Sequence, residues 1–191
     1  PSPVPGGGFG STYDFGDIPY DLLYSWSSSG YTIGAGVVGS VPTGTDLSSD
    51  NWLLGPSFLI ARPTDWGIWG LFPFHNEKIA GDGPDTSITS LQYFLFYSLG
   101  DGWQIGTGAT NTYDWNAPQG QEWTVPLQLA LARTTAIGWQ LVKFNVSAER
   151  NVIAPDAFAE DWTFTFQVSP VTSNPFQRTP PPAPVDEATR A

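Results

Sequence analysis

Asp114 and Glu122 flank the segment Asn116–Gly120 and face each other if that segment closes a hairpin. Paired carboxylates can do acid/base work, and they serve equally well as lumen or rim charges, which is how we read this pair. The single His, His75, follows an aromatic run and reads as a loop or rim residue. With one imidazole in the chain, a multi-His metal site and a His-based triad both read as impossible within one chain. Cys is absent, which excludes disulfides, thiolate metal sites and Cys nucleophiles. Asp82 and Asp85, in Gly-Asp-Gly-Pro-Asp, offer too few oxygens for calcium and read as a turn. Gly34, Gly36 and Gly39, like Gly106 and Gly108, precede no helix and are not phosphate loops; they permit bends or close packing within strands. No catalytic, cofactor or metal site is expected from these residues.

What remains is the chemistry of a surface. Lys143, Asn145, Ser147 and Glu149 alternate with Val142, Phe144, Val146 and Ala148. Thr163, Thr165 and Gln167 alternate with Trp162, Phe164, Phe166 and Val168. In a strand, successive side chains point to opposite faces. A soluble sandwich turns the apolar set inward, whereas a membrane barrel turns it toward lipid and lines its lumen with the polar set.

The two-beat pattern recurs along most of the chain. It predicts strands near 18–27, 31–41, 52–62, 66–74, 88–99, 103–115, 122–132, 139–150 and 162–169, separated by Gly, Pro, Asp and Asn clusters. The fold class expected is all-β, an antiparallel up-and-down transmembrane β-barrel of about eight to ten strands. The predicted lumen set is Ser90 and Gln92 on the fifth strand, Glu122, Thr124 and Gln128 on the seventh, Lys143, Asn145, Ser147 and Glu149 on the eighth, and Thr163, Thr165 and Gln167 on the ninth. Trp52, Trp66, Trp103, Trp123, Trp139 and Trp162 stand at strand ends, where a lipid-facing aromatic girdle would fall. Phe94 and Phe96, on the otherwise polar face of the fifth strand, suggest an interior filled by side chains.

Composition agrees with this reading. Aromatic residues make up 15% of the chain and charged residues 13%, against about 25% charged in an ordinary soluble domain. The net charge of −11 makes duplex nucleic acid a poor partner. No run of about 18 apolar residues exists, so any crossing of a membrane must use a closed barrel. The absence of Met, even at position 1, reads as a processed chain or a fragment. The chain divides into a Pro/Gly-rich segment (1–16), the barrel (17–170) and a Pro-rich tail (171–191). Nine strands conflict with the even number of single-chain bacterial barrels. Either 10–16 adds a tenth, or one strand is misread, or other chains complete the wall.

Four stretches carry a family likeness: Asn-Trp-Leu-Leu-Gly-Pro-Ser (51–57), Gly-Asp-Gly-Trp-Gln-Ile-Gly-Thr (100–107), Thr-Tyr-Asp-Trp-Asn-Ala (112–117) and Glu-Trp-Thr-Val-Pro-Leu (122–127). With the ending Asp-Trp-Thr-Phe-Thr-Phe-Gln-Val (161–168), they resemble the outer-membrane channel family labelled "transporter" or meta-pathway phenol degradation proteins, and in some members neuromedin U. The resemblance spans roughly 26–170. It implies a barrel in the outer membrane of a Gram-negative-type bacterium that passively passes small aromatic or hydrophobic molecules, with no chemical step and no cofactor. Family members are longer at the N-terminus, and their last strand ends near the C-terminus. This chain instead continues into its Pro-rich tail. Those departures imply an alternative: a barrel anchored in membrane lipid that braces an envelope assembly, its tails contacting an envelope protein or another copy of the chain. A soluble β-sandwich binding module is the third reading.

Overall fold

The computed structural model describes residues 16–45, 47–155 and 162–171. The expectations for 1–15 and for the tail from 172 onward lie outside these residues. The described chain folds into one antiparallel sheet of nine strands in sequence order: β1 (Ile18–Ser28), β2 (Tyr31–Val41), β3 (Asn51–Thr64), β4 (Gly67–Gly81), β5 (Ser87–Gly100), β6 (Trp103–Asp114), β7 (Trp123–Ile137), β8 (Gln140–Ile153) and β9 (Thr163–Val171). No helix long and apolar enough to cross a membrane occurs among the described residues.

The turns explain the order. At one end, two-residue turns at 29–30, 65–66, 101–102 and 138–139 join β1–β2, β3–β4, β5–β6 and β7–β8. Ser29-Gly30 and Asp101-Gly102 both take positive φ at each position, the backbone that matches the twist of a tight hairpin. At the other end the connections are longer, at 42–50, 82–86, 115–122 and 154–162. The strands run from 9 to 15 residues, whereas soluble strands are mostly about five or six.

Burial is inverted relative to a soluble sandwich. The buried apolar residues are small: Val38, Ala61, Ala130 and Ala132 share one face with buried Ser57, Ser90 and Ser147, and Ala109, opposite Tyr93, lies on the other. The large apolar side chains stand on the opposite face, with Leu129 63% and Phe164 76% exposed. The small-residue face is concave. Lys143 on β8 lies with Nζ 5.2 Å from the centroid of Phe96 on β5, and residues of β1, β2, β4, β5 and β6 line a single cavity on that face. Glycine makes room for the aromatic filling: a Cβ at Gly70 would sit 2.3 Å from the Phe94 ring, and one at Gly106 only 2.2 Å from the Leu95 carbonyl oxygen.

Several boundaries differ from the pattern-based expectation. The fourth strand continues through His75 to Gly81, and the seventh continues to Ile137. Polar residues at a strand end erase the apolar alternation without ending the ladder, as the pairs His75↔Thr89 and Thr134↔Lys143 demonstrate. Trp66 and Trp139 lie in turns, not strands. The strand number is odd, so β1 and β9 run in the same direction, and no ladder joins them among the described residues.

Candidate functional site

The concave face gathers most of the polar residues singled out above. Gln92 pairs with Thr110 and Ser90 with Thr112, which in turn pairs with Thr124. Gln128 pairs with Glu149, and its Nε2 donates to Glu149 Oε2 at 3.1 Å. Ser147 stands between Ala130 and Thr165, Asn145 between Ala132 and Gln167, and Glu149 is followed by Thr163. Thr163, Thr165 and Gln167 are exposed, because β9 is an edge strand with no further ladder on its outer side. Glu122 precedes β7, and its carbonyl accepts from the Asp114 amide at 2.8 Å.

Aromatic side chains close much of this face. Phe72 and Phe74 are packed at 5.3 Å between centroids, and Phe94 and Phe96 cover Gly70, Gly106 and Gly108. Toward the long-loop end, Asp21, Asn76, Gln92 and Thr110 line a cavity of about 420 Å³ beside Phe72 and Phe74. Asn76 Oδ1 is buried there without a protein donor, so the cavity presents a free acceptor to a small polar molecule.

The carboxylates at the loops are occupied locally. Asp114 Oδ1 accepts from the Asn116 amide at 2.9 Å, and Glu122 Oε2 from the Gly120 amide at 2.8 Å. Each carboxylate thus holds its own end of the loop. Lys78 Nζ donates to the Gly83 carbonyl at 2.5 Å and lies 3.4 Å from Asp85. No cluster suited to a metal occurs among the described residues. Asp17 ties the 42–50 loop to the start of β1. It accepts from the Ser48 hydroxyl at 2.6 Å, from the Ser49 amide at 3.1 Å and from the Ser49 hydroxyl. The Ser48 and Ser49 hydroxyls hold its carboxyl below the ordinary Asp value.

The convex face is banded. Trp26, Trp66, Trp69, Trp103 and Trp139 gather at the short-turn end, and Trp52, Trp115, Trp123 and Trp162 at the long-loop end. Trp66 stacks on Tyr97 at 6.3 Å, Tyr31 meets Trp69 at 6.2 Å, and Tyr113 contacts Trp115 at 4.7 Å and Trp123 at 4.9 Å. Arg62 sits over Tyr31, Arg133 over Trp103 and Arg150 over Trp162. These cations and Glu77 stand at belt level. Leu22, Leu71, Leu91, Leu129, Val146 and Phe166 fill the zone between the belts, all exposed. On β6, Trp103 and Tyr113 mark the two belts. About ten residues at ~3.3 Å each, tilted by ~40°, separate them by roughly 25 Å, the height of a lipid-facing apolar band.

One arrangement went unanticipated. His75 lies on the convex face of β4, directly opposite Thr89. Its Nδ1 is 3.0 Å from Thr89 Oγ1, and its Nε2 is 3.1 Å from Glu77 Oε2. Trp115 Nε1 donates to the same Thr89 oxygen at 2.9 Å. A triad needs only one imidazole, so the single His does not exclude a hydroxyl–imidazole–carboxylate array. The His-x-Glu spacing was the sequence signal for it, since i and i+2 share a face once the segment is a strand.

No protein-family model, curated protein or solved structure matches the chain.

Proposed function

We propose that this protein is an outer-membrane-type β-barrel that resides in a bilayer of Gram-negative type, with its convex face toward lipid. The observation that carries this reading is the banding of that face: exposed aliphatic side chains between two Trp belts. A soluble domain that exposed this much contiguous apolar surface would aggregate. In lipid the same surface is the solvated one. The alternation of four tight turns with four longer connections and the strand lengths support the same assignment. Closure follows from the medium, because unpaired strand edges in hydrocarbon cost several kcal/mol per group. The seam is either a parallel β1–β9 pairing or a further strand that restores antiparallel order.

Within this reading, the chain serves as a filled, anchoring barrel in preference to an open channel. Phe72, Phe74, Phe94 and Phe96 occupy the concave face, and Lys143 reaches across it to Phe96. The cavity beside Asn76 is a vestibule at the long-loop end. The resemblance to a channel family favours passage of small hydrophobic molecules instead, and one experiment separates the two. Protein reconstituted in a planar bilayer is expected to insert and remain electrically silent. Discrete, reproducible current steps would return the assignment to a channel.

A further inference from the structure

We infer that the convex face of β4–β6 carries an ester-hydrolysing site for membrane lipids, with Thr89 as nucleophile and His75 as its base; the inference rests on the bilayer reading above. The hydrogen bonds fix the direction of proton transfer. A carboxylate only accepts, so the 3.1 Å contact to Glu77 places the imidazole proton on Nε2. Nδ1 of the neutral ring is then an acceptor, and the Thr89 hydroxyl, 3.0 Å away, donates to it. The chain hydroxyl to imidazole to carboxylate is the order of nucleophile, base and orienting group in acyl transfer.

Beside this array lies a groove of about 280 Å³ lined by Pro56, Phe58 and Pro73, with His75 and Thr89 among its lining residues. Neither proline can donate to the ladder, and the β3–β4 pairing is interrupted on both sides of Ser57↔Phe74. The resulting dent is apolar apart from Ser57 and the reacting pair, a lining suited to an acyl chain and without the donors a peptide would need. Its depth is set as well. Thr89 pairs with Tyr113, whose ring packs on Trp115 and Trp123. That belt stands at headgroup level, where lipid ester linkages lie next to water.

In the reaction, Thr89 Oγ1 attacks the ester carbonyl carbon while its proton passes to His75 Nδ1. The bond from that carbon to the alcohol oxygen breaks, and the alcohol leaves with the proton from Nδ1. Water then attacks the acyl-Thr89 ester by the same base and releases the fatty acid. Trp115 Nε1, already 2.9 Å from Oγ1, donates to the carbonyl oxygen as it gains charge.

The test uses the full chain in phosphatidylglycerol vesicles. Free fatty acid and lysolipid are followed by mass spectrometry, and insertion is read separately from quenching of Trp fluorescence by brominated acyl chains. Wild type is expected to release both products in equal amounts. Thr89→Val and His75→Gln should each lower release at least ~100-fold, and Glu77→Gln about 10-fold or more. Thr89→Ser should retain turnover, and Asp85→Asn, outside the site, should leave it unchanged. Inserted wild-type protein that releases nothing, or release that survives Thr89→Val, overturns the site and leaves the bilayer reading standing. Failure to insert overturns both.

Discussion

Leu129→Arg is the substitution whose cost depends most on what touches the convex face. Leu129 is 63% exposed on β7, paired with Ala148 and midway between the belts at Trp123 and at Arg133 over Trp103. If water covered that face, the exchange would be a surface substitution worth within about 0.5 kcal/mol of zero. In a bilayer, Arg at the midplane of a barrel costs about 2–4 kcal/mol and near the interface only about 0–1. Ile137→Arg, at the end of β7 and 56% exposed, supplies the interfacial control. The expected difference between the variants is therefore ~2–3 kcal/mol, roughly 30- to 150-fold in the unfolding constant. Guanidinium unfolding in lipid vesicles, read by intrinsic Trp fluorescence, measures it. Equal stability of the two variants would refute the assignment of the convex face to lipid.

Three further outcomes follow from the geometry. Phe94→Ala combined with Phe96→Ala should convert a silent insertion into measurable bilayer current, because these rings cover the glycine floor of the concave face. Gly106→Val should destabilise the sheet by about 1–3 kcal/mol, since its Cβ would meet the Leu95 carbonyl and the Phe96 ring, and denaturant unfolding would read the loss. The Asp17 carboxyl is held below its ordinary value by Ser48 and Ser49, so its contribution is present above the unfolded pKa and is lost as pH falls through the folded one. Hydrogen-exchange protection of the Ser49 amide should fall at that acid pH in the wild type and be pH-independent in Asp17→Asn.

Sequence pattern carried the faces of the sheet much further than it carried the chemistry. On β7 the alternation of Leu127, Leu129 and Leu131 with Gln128, Ala130 and Ala132 is visible without coordinates, because each face meets a uniform environment along the strand. The same reasoning lost the end of β4. There the strand leaves the apolar zone, and His75, Asn76 and Glu77 read as a loop while they still pair with β5. The array followed from that omission. Thr89 and His75 meet through cross-strand register, which depends on where the 82–86 connection turns. Asp114 and Glu122 were legible as neighbours, but the amides of Asn116 and Gly120 that occupy them were not.

Contact of lipid with the convex face can be tested directly, because the chain contains no Cys. Single Cys residues introduced at 127 through 131 and spin-labelled in reconstituted vesicles would report collision with oxygen and with a water-soluble nickel chelate. Lipid contact should give oxygen-accessible, nickel-protected labels at 127, 129 and 131, the opposite or immobilised behaviour at 128 and 130, and greatest depth near 129. Nickel access at all three odd positions would contradict it.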